Sequence, residues 1–261
     1  MFKGIFAILS ILAAVSGRRF SGTLDFNNPE LYKDSRIIGG EVVEPNSIPY
    51  QISIKNSGFH FCGGSIYDEN TVITAAHCCP SINSRTQIVA GEHHQLVPSS
   101  TEQKVNVKEV IAHSGFSFET LNNDICILKL AKPFQFNDKV SAVKMPEQGQ
   151  EMTGKAVVSG WGSRIEGFPG SFKLFKAELT MMAREKCDYL LQGHFDDTMV
   201  CANGVDQVMG SCHGDSGGPL VCEGGVQCGI VSWGFKCGRP ETPGVYANLS
   251  HFIDWIKEKL A

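Results

Sequence analysis

The chain has 261 residues, 42% hydrophobic and 19% charged, enough for one or two compact domains with sizeable cores. Its formal net charge is −4; the first 36 residues hold five of the 23 Lys/Arg and three of the 27 Asp/Glu, leaving 18 basic against 24 acidic side chains. That balance argues against nucleic acid or an anionic membrane as the main partner, and ten scattered cysteines point to an oxidising compartment rather than a metal cluster.

Residues 1–16 carry Lys3 and then the apolar stretch Ile5–Ala14, too short to span a bilayer and followed by small residues. They read as a secretory signal peptide cleaved near Ser16 or Gly17, so the protein is expected to be secreted and extracellular. Residues 17–36 are polar, contain Pro29 and show little periodicity. From Ile37 onward the pattern is β. Short β-branched runs at Tyr50–Ile54, Gly64–Tyr67, Thr71–Thr74, Val105–Ile111, Ile125–Leu130, Ala156–Ser159, Gly229–Trp233 and Gly244–Ala247 alternate with Asn, Gly and Ser turns. Many short strands and few long helices predict an all-β barrel or sandwich. The period changes at the end: Phe252, Ile256 and Leu260 recur at i, i+4, i+8, predicting an amphipathic helix with Ser250 as N-cap. No apolar run past the N-terminus reaches transmembrane length, and no repeat or linker interrupts the body.

The densest chemical signal is Gly210-Ser211-Cys212-His213-Gly214-Asp215-Ser216-Gly217-Gly218-Pro219. Glycines let backbone N–H groups approach a ligand, and Ser216 places a hydroxyl beside them, as a nucleophile with an oxyanion hole requires. A serine hydroxyl needs a base, and imidazole titrates close to working pH. Upstream stand Thr74-Ala75-Ala76-His77-Cys78 and Asn123-Asp124-Ile125. The order His, Asp, Ser with these flanks resembles the chymotrypsin-like serine proteases, the family behind the general Ser–His–Asp template, from Ile37 to the C-terminus.

That resemblance implies two six-stranded antiparallel β-barrels with the active site in the cleft between them, in a catalytic domain spanning 37–261 after a propeptide at 17–36. It implies Ser216 as nucleophile, His77 as base, Asp124 as the group orienting it, and the N–H groups of Gly214 and Ser216 as the oxyanion hole. Cleavage after Arg36 would free the Ile37 ammonium to fold inward and pair with Asp215, since an unpaired buried carboxylate is expensive. Ser232 matches the position supporting the catalytic aspartate, where strand pairing with the substrate backbone begins.

Gly210 falls where trypsin-like members carry an aspartate at the pocket base, and Gly234 and Gly244 fall on its walls. Together with Ser211 and Trp233 they imply an open neutral slot for Phe, Tyr, Leu or Met, worth roughly 1.5–3 kcal/mol of side-chain burial. Asp206, four residues earlier, is the carboxylate that would admit basic side chains if it leaned in. His213 matches the pocket rim; charged at low pH, it would bias the pocket toward acidic or polar neighbours.

Three disulfides carry over from the resemblance: Cys62–Cys78, Cys187–Cys201 and Cys212–Cys237. The usual partner position of Cys222 reads Ala156, leaving Cys228 across a short turn as the substitute. Cys79 and Cys126 follow His77 and Asp124 by two residues each, so a bond between them would tie the two catalytic segments together. Glu92 and Glu102 match carboxylates of calcium-binding relatives, with Ser99 at a third position; calcium could be completed by carbonyls and water, while no other cofactor or metal is expected. His93-His94 lacks the ligand spacing of a zinc site. Asn248-Leu249-Ser250 is a sequon expected to stay unoccupied. The expected partners are protein or peptide substrates, an activating protease cutting after Arg, and protein protease inhibitors, with the chain a monomer. The alternatives are a trypsin-like or broad, collagen-cleaving preference within the same enzyme class and, from another class, a silent binding homologue, which the retained triad disfavours.

Overall fold

β-Branched alternation in the first half of the chain produces a closed barrel. In the computed structural model, which describes residues 40–163, 167, 169–204, 209–239 and 241–261, β1 (Glu41–Val42) is followed by six strands. These are β2 (Gln51–Asn56), β3 (Phe59–Asp68), β4 (Thr71–Thr74), β5 (Thr86–Ala90), β6 (Gln103–Ala112) and β7 (Cys126–Leu130). They pair antiparallel in the order β2-β3-β4-β7-β6-β5, and β5 returns to β2. Ile52, Ile54, Ile66, Ile73, Ile88 and Ile127 fill the interior with no exposed surface. The intervening residues of β2 are also buried, because Ser53 and Lys55 meet His60 and Glu92.

The second half closes likewise. β8 (Lys155–Gly160), β9 (Phe175–Met181), β10 (Met199–Asn203), β11 (Pro219–Cys222), β12 (Val226–Trp233) and β13 (Gly244–Asn248) run β9-β10-β13-β12-β11-β8. β8 pairs back onto β9, and β1 adds to β9. In β9 the inward set Phe175, Ala177, Leu179 and Met181 alternates with more exposed residues, the period-2 signature of a one-sided face. The two six-stranded barrels of the expectation are therefore present. The signal peptide, the propeptide, the Arg36–Ile37 junction and Asp206 lie outside the described residues.

Two helices complete the chain, α1 (Arg184–Leu190) and α2 (Ile253–Leu260). The C-terminal helix begins two residues later than Ser250 as N-cap predicts, with Phe252 at the N-cap position. A 3-10 turn, Leu249–Phe252, comes first; Ser250 is buried inside it and bonds Asn248 Oδ1 at 2.9 Å, so it is not the N-cap. Phe252, Ile253 and Ile256 then insert into the hydrophobic cluster of the first barrel alongside Ile230 and Ala247 of the second. This shared core holds the two barrels together and so fixes the walls of the cleft.

Candidate active site

His77 sits in a 3-10 turn, Ala76–Ser81, that leaves the end of β4. Asp124 immediately precedes Ile125 and β7, the strand hydrogen-bonded to β4, so β4–β7 pairing brings the two together. Asp124 is 1% exposed. Its Oδ2 accepts from His77 Nδ1 at 2.7 Å and Ser232 Oγ at 2.5 Å, and its Oδ1 accepts from the His77 N–H at 2.9 Å. Three donors satisfy this buried carboxylate and fix the imidazole with Nδ1 protonated, leaving Nε2 as the basic nitrogen. The backbone before it is held in the left-handed region at Leu121 (φ 55°) and Asn123 (φ 56°). Asparagine tolerates that conformation, leucine does not, and the cost of order 1–2 kcal/mol marks a segment shaped for position.

Ser216 lies on the loop entering β11. Its carbonyl accepts from the Gly63 N–H of β3 at 2.8 Å, and Gly217 N–H donates to Val231 O at 2.8 Å. Gly217 has φ 78°, and a Cβ there would collide with Thr74 Oγ1 and Gly63 O. The loop is therefore packed against the end of β4, three residues before His77. Among the described residues nothing accepts from the N–H groups of Gly214 or Ser216, which leaves two donors free for an oxyanion.

His60, on β3, was not singled out in the sequence. Its Nε2 lies 2.8 Å from Gly214 O and its Nδ1 2.8 Å from Ser53 Oγ. A carbonyl only accepts, so Nε2 carries the proton and Nδ1 accepts from the serine. Burial pushes the imidazole down to about 4, keeping it neutral, and the bond pins the Gly214 peptide. The signal available was its place in Phe59-His60-Phe61-Cys62, on a strand whose alternate positions face inward.

Asp215 is wholly buried. Oδ1 accepts from Gly162 N–H at 2.8 Å and Oδ2 from Cys212 N–H at 3.0 Å; among the described residues it has no cationic partner. Desolvation pushes it up to about 6 against these two bonds. Gly160 and Gly162 are required here, because a Cβ on either would strike the carboxylate.

A cavity of about 240 Å³ opens beside Ser216, lined by Ser211, His213, Ser232, Trp233, Gly234 and Gly244, with Cys212, Val231, Lys236 and Cys237. Every pocket residue expected from the sequence is gathered here except Gly210. That glycine is buried and does not line the cavity, and a Cβ on it would meet Gly238 Cα at 3.0 Å. A Cβ on Gly234 would meet nothing closer than 3.7 Å, whereas one on Gly244 would press on the Tyr246 hydroxyl at 3.0 Å. Lys236 was missed because it falls outside the Ser232-Trp233-Gly234 run.

Five disulfides join Cys62–Cys78, Cys79–Cys126, Cys187–Cys201, Cys212–Cys237 and Cys222–Cys228. Cys79–Cys126 spans 47 residues and locks the turn bearing His77 to the strand following Asp124, a constraint worth on the order of 4 kcal/mol in chain entropy. Among the described residues, the only His, Cys and acid groups close enough to share a metal ion are Cys62–His77–Cys78 and Cys212–His213–Cys237. Their sulfurs are in disulfides, so each offers one imidazole. At the expected calcium carboxylates, Lys55 Nζ stands 2.5 Å from Glu92 Oε1, and Lys104 Nζ stands 2.9 Å from Glu102 Oε2 while Ser99 N–H donates to Glu102 Oε1.

Two antiparallel barrels, one holding an Asp–His pair and the other a glycine-cradled serine beside a cavity, define the class of protein. The family model described as Trypsin matches residues 37–256. The chain is 38% identical to "Trypsin" of Sus scrofa over 87% of this chain and 97% of that protein. It is 38% identical to "Serine protease 1" of Rattus norvegicus (88% and 92%) and 40% identical to "Trypsin-1" of Astacus astacus (85% and 98%). The chain belongs to the trypsin family and is a serine endopeptidase.

Proposed function

We propose that the chain is the zymogen of a secreted, monomeric endopeptidase that cleaves after large hydrophobic or aromatic residues once a protease has cut after Arg36. The observation that carries the specificity is the cavity beside Ser216. Among its described lining residues there is no carboxylate, and glycine stands at 234 and 244. The relatives named trypsins favour the alternative, a basic preference; Gly210 and the absence of a carboxylate among the described lining residues argue against it.

In this reading Ser216 Oγ attacks the substrate carbonyl while its proton passes to His77 Nε2. Asp124 holds Nδ1–H and offsets the imidazolium charge. The carbonyl oxygen becomes an oxyanion bonded to the N–H groups of Gly214 and Ser216, each worth about 3–4 kcal/mol. As the C–N bond breaks, His77 returns the proton to the leaving amine and an acyl-enzyme remains. Water then attacks that ester with His77 again taking the proton, and Ser216 is released. Substrate backbone pairs along Ser232–Gly234.

Activation follows from Asp215. Its unpaired burial disfavours the Gly214–Ser216 loop, and a new Ile37 ammonium would supply the missing charge. Residues 1–16 act as the signal peptide and 17–36 as the propeptide. Lys55 supplies at Glu92 the positive charge that calcium supplies in calcium-binding relatives, and the carboxylates of Glu92 and Glu102, each already facing an ammonium, do not fit the ion. Asn248 Nδ2 donates to Asp197 O at 3.2 Å, and this engaged amide stays unglycosylated.

The test is to cut recombinant zymogen after Arg36 and compare peptides differing only in Phe, Leu, Ala or Arg before the scissile bond. Phe or Leu should lead Arg at least tenfold, about 1.4 kcal/mol in the barrier, and Ser216→Ala should remove about ten-thousandfold or more of the rate. Arg in the lead would move the enzyme to trypsin-like specificity. No turnover of any peptide would leave a silent binding protein.

A further inference from the structure

Lys236 is the one side chain lining the primary cavity that carries a fixed charge, among the described residues. It is exposed and makes no ion pair or hydrogen bond there. The two carboxylates nearest the catalytic groups do not neutralise it: Asp124 and Asp215 are buried and already accept three and two hydrogen bonds. Glu241, further along the same loop, does not line the cavity and takes part in no ion pair. His213, also exposed, lines the same cavity, and among the described lining residues there is no acid. The Lys236 backbone is not a loose tether, because the next residue, Cys237, is bonded to Cys212 on the loop that carries Ser216.

Direction matters as well. Residues preceding the scissile bond would run along Ser232-Trp233-Gly234 and away from Ser216. Lys236 follows Gly234 by two residues and lines the cavity, so its ammonium is within reach of that upstream course. Phe235 beside it is 52% exposed and packs edge-on against Trp233 at 5.4 Å, giving upstream residues an apolar floor next to the ammonium.

We propose that Lys236 makes the cleft selective for acidic peptides: a hydrophobic side chain enters the pocket while a carboxylate just upstream pairs with the ammonium, and Lys or Arg is repelled at both places. This deepens the serine-endopeptidase reading and rests on it. An exposed ammonium acts through a field that salt screens within about 8–10 Å at ordinary ionic strength, so the selectivity has an ionic-strength signature that shape selection lacks.

The experiment uses activated enzyme and a peptide series with Phe before the scissile bond and Glu, Ala or Lys two residues upstream, plus one peptide with Arg replacing the Phe. In wild type at low salt, kcat/KM for the Glu peptide should exceed that for the Lys peptide about fivefold or more, and the ratio should shrink toward one in about 0.5 M salt. Lys236→Gln should bring the ratio close to one, and Lys236→Glu should invert it and raise the Arg-to-Phe ratio several-fold. A wild-type Glu-to-Lys ratio within about twofold, or one that survives salt or both substitutions unchanged, would overturn the assignment. Failure of wild type to cleave any Phe peptide would instead remove the endopeptidase reading beneath it, and the two failures are distinct.

Discussion

Each barrel buries a carboxylate, and they treat it in opposite ways. In the first, Lys55 reaches from β2 to Glu92, with the two side chains only 8% and 2% exposed. In the second, Asp215 is sealed completely and meets two backbone N–H groups but no cation among the described residues. Desolvation raises both carboxyls. At Glu92 the ammonium pulls against it; at Asp215 only amide dipoles do, and the group is left at about 6. The first arrangement has its cation in place when the barrel closes, although Glu92 Oε2 is left without a hydrogen-bond partner. The second leaves a buried carboxylate with no cation among the described residues, beside the loop that bears Ser216, which is the group the proposed activation by cleavage would match.

The largest effect expected from this contrast falls on the finished pair. Lys55→Met leaves Glu92 buried with no cation and should cost about 3–5 kcal/mol, whereas Lys55→Met with Glu92→Leu should return to within about 1 kcal/mol of wild type or exceed it. Guanidinium unfolding of the two variants reads the difference. A single substitution costing no more than the double one would show that the pair is not what holds Glu92 in place.

The unfinished site should respond with the opposite sign. Asp215 titrates near 6 when folded and near 3.8 when unfolded, so its folded form binds the extra proton between those values. Its contribution to stability is present at low pH and is lost as pH rises through about 6. In the uncut chain Asp215→Asn should therefore change stability little below about pH 4 and raise it by roughly 3 kcal/mol above pH 7. After cleavage the same variant should be nearly inactive and no longer more stable than wild type, because the Ile37 ammonium would have lost its partner. Denaturation of cut and uncut forms at the two pH values measures both halves. A stabilisation that persists unchanged after cutting would break the link between Asp215 and activation.

Much of the barrel framework was legible because short β-branched runs are bounded by Asn, Gly and Ser turns. Thr71–Thr74 is recovered residue for residue, and Ala156–Ser159 lacks one residue at each end of its strand. β5, β9, β10 and β11 went unmarked despite comparable burial; Phe175–Met181 interleaves Lys, Glu and Thr with its apolar set, and Pro219–Cys222 lies directly behind the glycine-rich run that carries Ser216. Ser250 misled for a different reason: its hydroxyl prefers Asn248 two residues back, and a 3-10 turn intervenes before the helix. The candidate triad was proposed from motif order, but nothing local pointed to His60, because its contact is with Gly214, 154 positions away. Lys55 was invisible as a partner of Glu92 for the same reason. Charges that meet across a barrel leave no local pattern.

The smallest expected effect tests whether that internal cation is sufficient. Glu92 and Glu102 each face a lysine at hydrogen-bonding distance, and a calcium ion would have to displace at least Lys55, an ammonium sealed from water, to gain its oxygen ligands. Ligand that binds only the native state stabilises by RT ln(1 + [L]/Kd), so a site closed to calcium predicts no shift. Melting curves of the wild-type enzyme in about 5 mM calcium and in chelator should differ by less than about 1 °C. In Lys55→Met the vacated carboxylate has only the ion to turn to, and calcium should recover part of the lost stability, which makes this variant the positive control. A clear calcium shift in wild type would mean that the Lys55 ammonium yields to the ion, and the contrast between a finished and an unfinished buried charge would then rest on Asp215 alone.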